Sequence, residues 1–317
     1  MAQQGRPQYA FFDGKIVPLE EARISVMTHA LHYGTGVFGG LRGYWNADEE
    51  QLFIFRPHDH FERFVQSAHL MRIDIPHTVQ ELVSILTDLL RAENFHENCY
   101  IRPLAYKSTE TIGVRLHDLD DAVTIFAMPF GRYLENEEGL HVGFSAWRRV
   151  DDNAIPARGK VTGAYANSSL IKTDAVVAGY DEALVLNNDG HISEASAANV
   201  FIVRKGVVIT PPVEANVLEG IVRRSIIHLM REELGLEVVE RNIDRTELYI
   251  ADEAFLCGTG VQVAAICHVE HRPIGAGAMG AVTKRARDLF FDVVSGRVEK
   301  YREWLTPVYA KEGIHQR

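Results

Sequence analysis

The stretch Pro156 to Leu170, PARGKVTGAYANSSL, sets Lys160 between Gly159 and Gly163 and follows it with Tyr165 and a group of small polar residues. A lysine in a loop is ordinarily a solvated charge. Two flanking glycines let the main chain approach a ligand closely, and Tyr165 adds an aromatic hydroxyl nearby. An amine in such a setting can attack a carbonyl carbon and bond to it covalently. Working outward, the question is whether the rest of the chain supplies what that chemistry needs.

At 317 residues the chain exceeds what one small core usually spans, so two domains are expected. The formal net charge is −10, with no long basic run, which argues against nucleic acid and for a small-molecule partner. Cys99, Cys257 and Cys267 form neither a disulfide framework nor a Cys-x-x-Cys pair, so a reducing compartment fits and no metal is expected. The N-terminus carries no signal-like apolar run, and no apolar run reaches the roughly 18 residues of a membrane helix. A soluble, cytoplasmic protein without a membrane partner is the expectation.

Asp13-Gly14 between apolar runs predicts a hairpin over 9–18. Residues 59–73 carry an apolar stripe, and Val79, Leu82, Val83, Leu86, Leu89 and Leu90 form a clearer one behind an N-cap at Thr78. Strands follow at 100–106, 122–130 and 141–147. The polar GRYLENEEG, 131–139, reads as the connection between a smaller N-terminal domain, 1–130, and a larger one, 140–317. In the second half, a helix near 167–178 precedes short strands with turns at Asp189-Gly190 and Lys205-Gly206. A helix opening at EGIVRRS and stopped by Gly235, a strand at 253–260, a hairpin through 270–275 and a helix near 281–294 complete it. No regular strand-helix alternation runs through the chain, so an α+β-like form of the α/β class is expected rather than a doubly wound one.

An aldehyde cofactor captured by Lys160 would be pyridoxal 5′-phosphate (PLP), which also needs a carboxylate at its ring nitrogen and a phosphate cradle. Glu194, in GHISEASAANVF, is the carboxylate candidate. LEGIVRRS, 218–225, places Gly220 before a helix whose free amides and dipole suit an anion. The turn CGTG, 257–260, offers Thr259 as a second donor.

In this order Lys160, Tyr165, Glu194, EGIVR and CGTG resemble the class IV PLP-dependent aminotransferases, specifically the branched-chain amino acid aminotransferases. HALHYGTGVFGGLRGY (29–44), YIRPLAY, AMPFGRYL and GAVTKRARDLF extend the resemblance over nearly the whole chain. It implies the two-domain PLP fold type IV, similar to D-amino acid aminotransferase, with the cofactor in the interdomain cleft and a homodimer as the smallest assembly. It implies Lys160 as the Schiff-base and proton-moving lysine, Glu194 as partner of the pyridine nitrogen and Tyr165 as partner of the 3-oxygen. Arg63, the amides of Ile221 and Val222 after Gly220, and Thr259 would hold the phosphate. Tyr100 and Arg102 match the Tyr-x-Arg that binds substrate carboxylates; Tyr33, Phe38, Gly40, Arg42, Tyr133, Gly260 and Val261 match the rest of the substrate pocket. The activity implied is transamination of leucine, isoleucine and valine with 2-oxoglutarate in two ping-pong half-reactions, in branched-chain amino acid biosynthesis.

Two departures stand out. Gly39 occupies a position where branched-chain enzymes usually carry glutamate, and so does Ala198; Gly260 and Val261 replace the usual Ala-Ala. The two missing carboxylates should leave Arg42 or another arginine less restrained, and looser carboxylate recognition would admit (R)-primary amines as a side activity. The same-fold alternatives are an (R)-amine transaminase, a D-amino acid aminotransferase and aminodeoxychorismate lyase, and YIRP favours the branched-chain reading.

Overall fold

The computed structural model describes residues 5–131 and 139–309. Asp13 and Gly14 both take left-handed φ, 48° and 76°, and close the expected hairpin between β1 (Tyr9–Phe12) and β2 (Lys15–Pro18). Two central residues of positive φ are what a tight hairpin of native twist requires. After a short helix α1 (His29–Tyr33) come strands β3 (Gly36–Phe38), β4 (Leu41–Asn46) and β5 (Gln51–Phe55). Helices α2 (Pro57–Leu70) and α3 (Val79–Glu93) and strands β6 (Cys99–Lys107) and β7 (Asp121–Pro129) follow.

The chain divides into two compact units. The first takes in Met1–His32, Phe38–Gly131 and Asp292–Arg317. Its strands run in the order C-terminal strand (Leu305–Pro307), β5, β4, β6, β7, β1, β2, with every neighbour antiparallel. The stripe on α3 packs against β1 and β7 and buries Leu82, Val83, Leu86, Leu89 and Leu90. A capping box starts that helix: Thr78 Oγ1 accepts from the Glu81 amide at 3.2 Å, and Glu81 Oε2 accepts from the Thr78 amide at 2.7 Å.

The second unit takes in Tyr33–Val37 and Arg132–Phe291. Along the chain it comprises β8 (Leu140–Arg148), α4 (Tyr165–Val177), β9 (Glu182–Leu186), β10 (Ile192–Ala195), β11 (Asn199–Arg204) and β12 (Val207–Thr210). It continues with α5 (Ile221–Glu232), β13 (Val238–Glu240), α6 (Arg245–Leu248), β14 (Glu253–Gly258), β15 (Gln262–Val269) and β16 (Arg272–Pro273). The last helix, α7, spans Ala281–Val294 as expected. The sheet order is β10, β9, β8, β15, β14, β11, β12, β13, with β16 beside β15. Only β8–β9, β8–β15 and β12–β13 are parallel, so the sheet is mixed and not doubly wound.

One face of this sheet carries Leu184, Leu186, Ile192, Val200, Ile202, Leu256 and Ile266 in a single buried cluster. The alternate residues face the other way: Ala183 and Val185 pack on Ile171 and Ala175 of α4, and the rings of Phe201 and Phe255 stack at 4.9 Å. α5 ends at Glu232, its last carbonyls closed through Gly235 at φ 62°, and Val238–Glu240 leaves it to pair with β12.

Candidate active site

Lys160 sits in the connection between β8 and α4, and the segment Tyr33–Val37 pins it. Val161 bridges Val37, Thr162 Oγ1 donates to the carbonyls of Gly34 and Gly36 at 2.7 and 3.0 Å, and the Gly163 amide donates to Gly34 at 3.2 Å. Gly34 stands at φ 63°, and a β-carbon on it would lie 2.7 Å from Gly163 Cα, so two backbones meet where no side chain fits. The half-buried Lys160 ammonium donates to Tyr165 Oη at 2.5 Å and lies 4.9 Å from that ring's centre. Tyr165 opens α4, two residues before the expected start.

Glu194 is aimed by an irregularity in β10. Its register on β9 shifts between Ile192 and Ala195, both of which enter the core, so Ser193 and Glu194 between them face the loops instead. Arg149 Nη2 reaches Glu194 Oε1 at 2.7 Å, while Asn199 Nδ2 and the Leu218 amide donate to Oε2 at 3.0 and 3.1 Å. Burial pushes the Glu194 carboxyl above its usual range, and the Arg149 guanidinium pulls it back. Each of these three neighbours is a donor, so the geometry is that of the anion.

Asn199 also donates to the Leu218 carbonyl at 3.0 Å, which ties the carboxylate to the approach of α5. That helix begins at Ile221 behind Gly220 with no side-chain cap, leaving its first amides and positive dipole end to an anion. A β-carbon at Gly220 would stand 2.2 Å from Asn199 Oδ1, so the glycine keeps helix start and carboxylate holder together. Val222 and Val261 are buried, and Thr259 and Gly260 form the half-buried turn from β14 to β15. A small pocket in this unit is lined by Arg149, Pro156, Lys160, Tyr165, Ser168 and Leu218 among others.

In the first unit, β4 and β6 bring three of the expected pocket residues onto one face. Arg42 lies opposite Tyr100 in the ladder, and Arg102 follows two residues on, the spacing that keeps side chains on the same side. Arg102 Nη2 donates to Tyr100 Oη at 3.0 Å, and its guanidinium covers the Phe38 ring at 4.5 Å. A β-carbon at Gly40 would stand 2.3 Å from Tyr100 Oη, so the missing side chain makes room for the phenol. Arg42 is not loosened as the missing carboxylates suggested. It is 3% exposed, donates to the carbonyls of Phe130 and Gly131, and covers the Phe130 ring at 5.2 Å. Main-chain carbonyls restrain it. Gly39 has a steric reason too: a β-carbon there would stand 2.5 Å from Pro103 Cγ.

Arg63 lies midway along α2, half-buried, in the first unit, and Tyr33 ends α1 in the second. Tyr133 falls outside the described residues, as does most of the expected connection at 131–139.

The family model for Amino-transferase class IV matches residues 36–269. The chain belongs to the class IV aminotransferases. The chain is 46% identical to the "Probable branched-chain-amino-acid aminotransferase" of Aquifex aeolicus, over 96% of this chain and 97% of the relative. Among solved structures it resembles the branched-chain aminotransferase of Thermoproteus uzoniensis with norvaline, with a TM-score of 0.92 and 41% identity over 96% of this chain and 100% of that one. The Thermobaculum terrenum branched-chain amino acid aminotransferase in its PLP form is similar at a TM-score of 0.92 and 40% identity, over 97% and 100%. These matches establish the expected two-sheet fold and favour the branched-chain class over the (R)-amine and D-amino acid alternatives.

The donor set fits this family's cofactor: an amine beside a phenol, a buried carboxylate anion, and an uncapped helix start reached through a glycine. Arg149 and Asn199 were not singled out from the sequence. Arg149 follows another arginine at the end of a strand and looks like surface charge; only the fold turns it toward Glu194. Among the described residues, no helix is long and apolar enough to cross a membrane, and no His, Cys, Asp and Glu cluster could hold a metal.

Proposed function

We propose that this chain moves the amino group of leucine, isoleucine and valine to 2-oxoglutarate, using PLP bound covalently to Lys160. The observation that carries the proposal is the Arg102 guanidinium, whose one side-chain hydrogen-bond partner among the described residues is Tyr100 Oη and whose faces meet the Phe38 and Tyr100 rings. An apolar wall that carries a cation suits both partners of this reaction: it receives an aliphatic side chain in one half-reaction and the second carboxylate of glutamate in the other.

When bound, the cofactor supplies the electron sink that lets an amino acid lose its α-proton. The chain's residues do the rest. Lys160, as the neutral amine, would accept the proton lost from the substrate Cα and hold it for return, and Tyr165, whose hydroxyl lies 2.5 Å from Lys160 Nζ, would keep that amine in place. The Glu194 anion, steadied by Arg149, Asn199 and Leu218, keeps the ring nitrogen protonated. In the second unit, Gly220, the amides of Ile221 and Val222, and Thr259 would hold the phosphate. In the first unit, Phe38, Gly40, Arg42, Tyr100 and Arg102 would bind the substrate.

A homodimer is part of the same reading. Ile24, Val26, Met27 and Leu31 are exposed beside the likewise exposed Ile112 and Val114, and the two loops are joined by the Thr28–Glu110 bridge and a 3.0 Å bond from the His29 amide to Thr109. So much apolar surface on one face suits a second copy of the chain. A cytoplasmic location accords with three buried, free thiols. The test is product analysis: L-leucine and 2-oxoglutarate should yield 4-methyl-2-oxopentanoate and L-glutamate in equal amounts, and Lys160→Ala should abolish it while the protein stays folded. Turnover of D-leucine or (R)-1-phenylethylamine exceeding that of L-leucine would refute the assignment.

A further inference from the structure

From the end of β8 at Arg148 to Lys160 the chain runs outside helix and strand. Such a run is only as fixed as its tethers. Two of them meet on one residue, Asn216, in the approach to α5. Arg149 Nε donates to the Asn216 carbonyl at 3.0 Å, and the Asp152 amide donates to Asn216 Oδ1 at 3.2 Å. The Asp152 carboxylate in turn accepts from the Ala157 amide at 2.8 Å, which closes the loop just before Lys160.

The other half of the Asn216 amide leads toward Glu194. Its Nδ2 donates to Asn187 Oδ1 at 3.1 Å, and Asn187 Nδ2 donates to the Ala215 carbonyl at 2.9 Å, which also accepts from Ser193 Oγ at 2.7 Å. Asn187 and Ser193 are buried, and Ser193 adjoins Glu194. The relay opens on an N–H and ends on a carbonyl, so the orientation of both amides is forced. Asn216 itself stands at φ 56° and ψ 27°, in the left-handed region. The position needs a left-handed backbone, an acceptor and a donor, and asparagine supplies all three.

We propose that Asn216 is a positioning residue for the reaction: it holds the loop of Lys160 in register with Glu194, through Arg149 on its carbonyl and through the relay on its side chain. Arg149 carries the first route to the carboxylate, since its Nε meets Asn216 while its Nη2 lies 2.7 Å from Glu194 Oε1. The inference rests on the reading of Lys160 and Glu194 as the residues that hold the cofactor ring. An error of about 1 Å in an alignment of this kind costs up to roughly a hundredfold in rate.

Asn216→Gly keeps the left-handed backbone and its carbonyl and removes both side-chain bonds. In the half-reaction of the PLP-loaded enzyme with L-leucine, the limiting rate should fall by roughly tenfold. The half-saturating concentration should stay within about twofold, because the first-unit residues that read the substrate are untouched. The pH midpoint of the PLP absorption band, recorded without an amino donor, should rise. A ring nitrogen held less firmly by Glu194 carries less positive charge, so the nitrogen that joins Lys160 to the cofactor keeps its proton to higher pH. Asn216→Ala should lose more on both counts, since it keeps the β-carbon without the side-chain bonds that hold asparagine in a left-handed backbone.

Asn216→Gly with the parent's limiting rate and midpoint overturns the proposal. A half-saturating concentration that rises at an unchanged limiting rate would assign Asn216 to the pocket and overturn it too. So would a lower melting temperature with rate and midpoint unchanged, which would assign the residue to stability alone. A parent protein without a pH-dependent band would overturn the reading of Lys160, and this proposal with it. The band needs no amino donor, so its shift is independent of whether leucine is the substrate.

Discussion

Replacing Gly40 by alanine is expected to damage glutamate recognition selectively. The new β-carbon would stand 2.3 Å from Tyr100 Oη, where ordinary contact begins at 3.4 Å, so the hydroxyl must retreat by 3.4 − 2.3, or about 1.1 Å. Tyr100 packs on Phe130 at 5.2 Å between ring centres and has Arg102 at 3.0 Å from its hydroxyl. A retreat of that size away from Arg102 carries the bond beyond hydrogen-bond range. Hydrogen bonds to charged groups contribute about 1.5–3 kcal/mol, so kcat/KM for L-glutamate should fall by roughly tenfold to a hundredfold. L-leucine, which presents no second carboxylate, should lose less than about a third of that effect in free-energy terms. The assay is the single half-reaction with each amino acid, in Gly40→Ala and in Gly40→Ala combined with Tyr100→Phe. If the hydroxyl is the point of collision, the alanine should cost little more once the hydroxyl is gone. Equal losses for glutamate and leucine, or an undiminished alanine effect in the phenylalanine background, would refute the reasoning.

Other expectations concern the fold. Lys107 is buried with its ammonium 2.8 Å from Asp121 and bonded to the Arg72 carbonyl, so Asp121→Ala should cost about 3–5 kcal/mol by stranding a buried charge. Lys107→Met added to it should restore most of the loss in urea unfolding. Thr78→Ala breaks the capping box of α3 and should cost about 1 kcal/mol in the same assay. Hydrogen bonds from Arg241 hold the Glu247 carboxyl below its usual range, against some burial and with Arg204 adding to the effect. A depressed folded-state pKa means that this stabilisation is complete above the unfolded value of about 4.3 and fades as the pH falls through the folded one. Glu247→Gln should therefore lower the melting temperature at neutral pH and flatten its decline on acidification; a parallel decline would refute the assignment.

How much could be read in advance depended on whether the cause was local. The Asp13-Gly14 turn, the Thr78 cap and the stripe on α3 are each decided within a few residues, and each is found as expected. Strand β5, QLFIF, is buried on both faces and so lacks the alternation that marks a strand. The three-residue C-terminal strand gains its identity only by pairing with β5, some 250 residues away. The Val238–Glu240 strand, just past the Gly235 stop, was not marked as a strand because its parallel partner, β12, lies before α5 in the chain. The same division holds for the site. Lys160, Tyr165 and Glu194 are marked by their neighbours, whereas Arg149 and Asn199 serve only because a shift in β10 turns Glu194 toward them.

The most direct test of the central claim is the absorption spectrum of the PLP-loaded enzyme before and after one equivalent series of L-leucine, with (R)-1-phenylethylamine in parallel. The account predicts that leucine converts the cofactor band at Lys160, that 2-oxoglutarate restores it, and that the amine acts far more slowly. A band that responds to the amine and ignores leucine would contradict it.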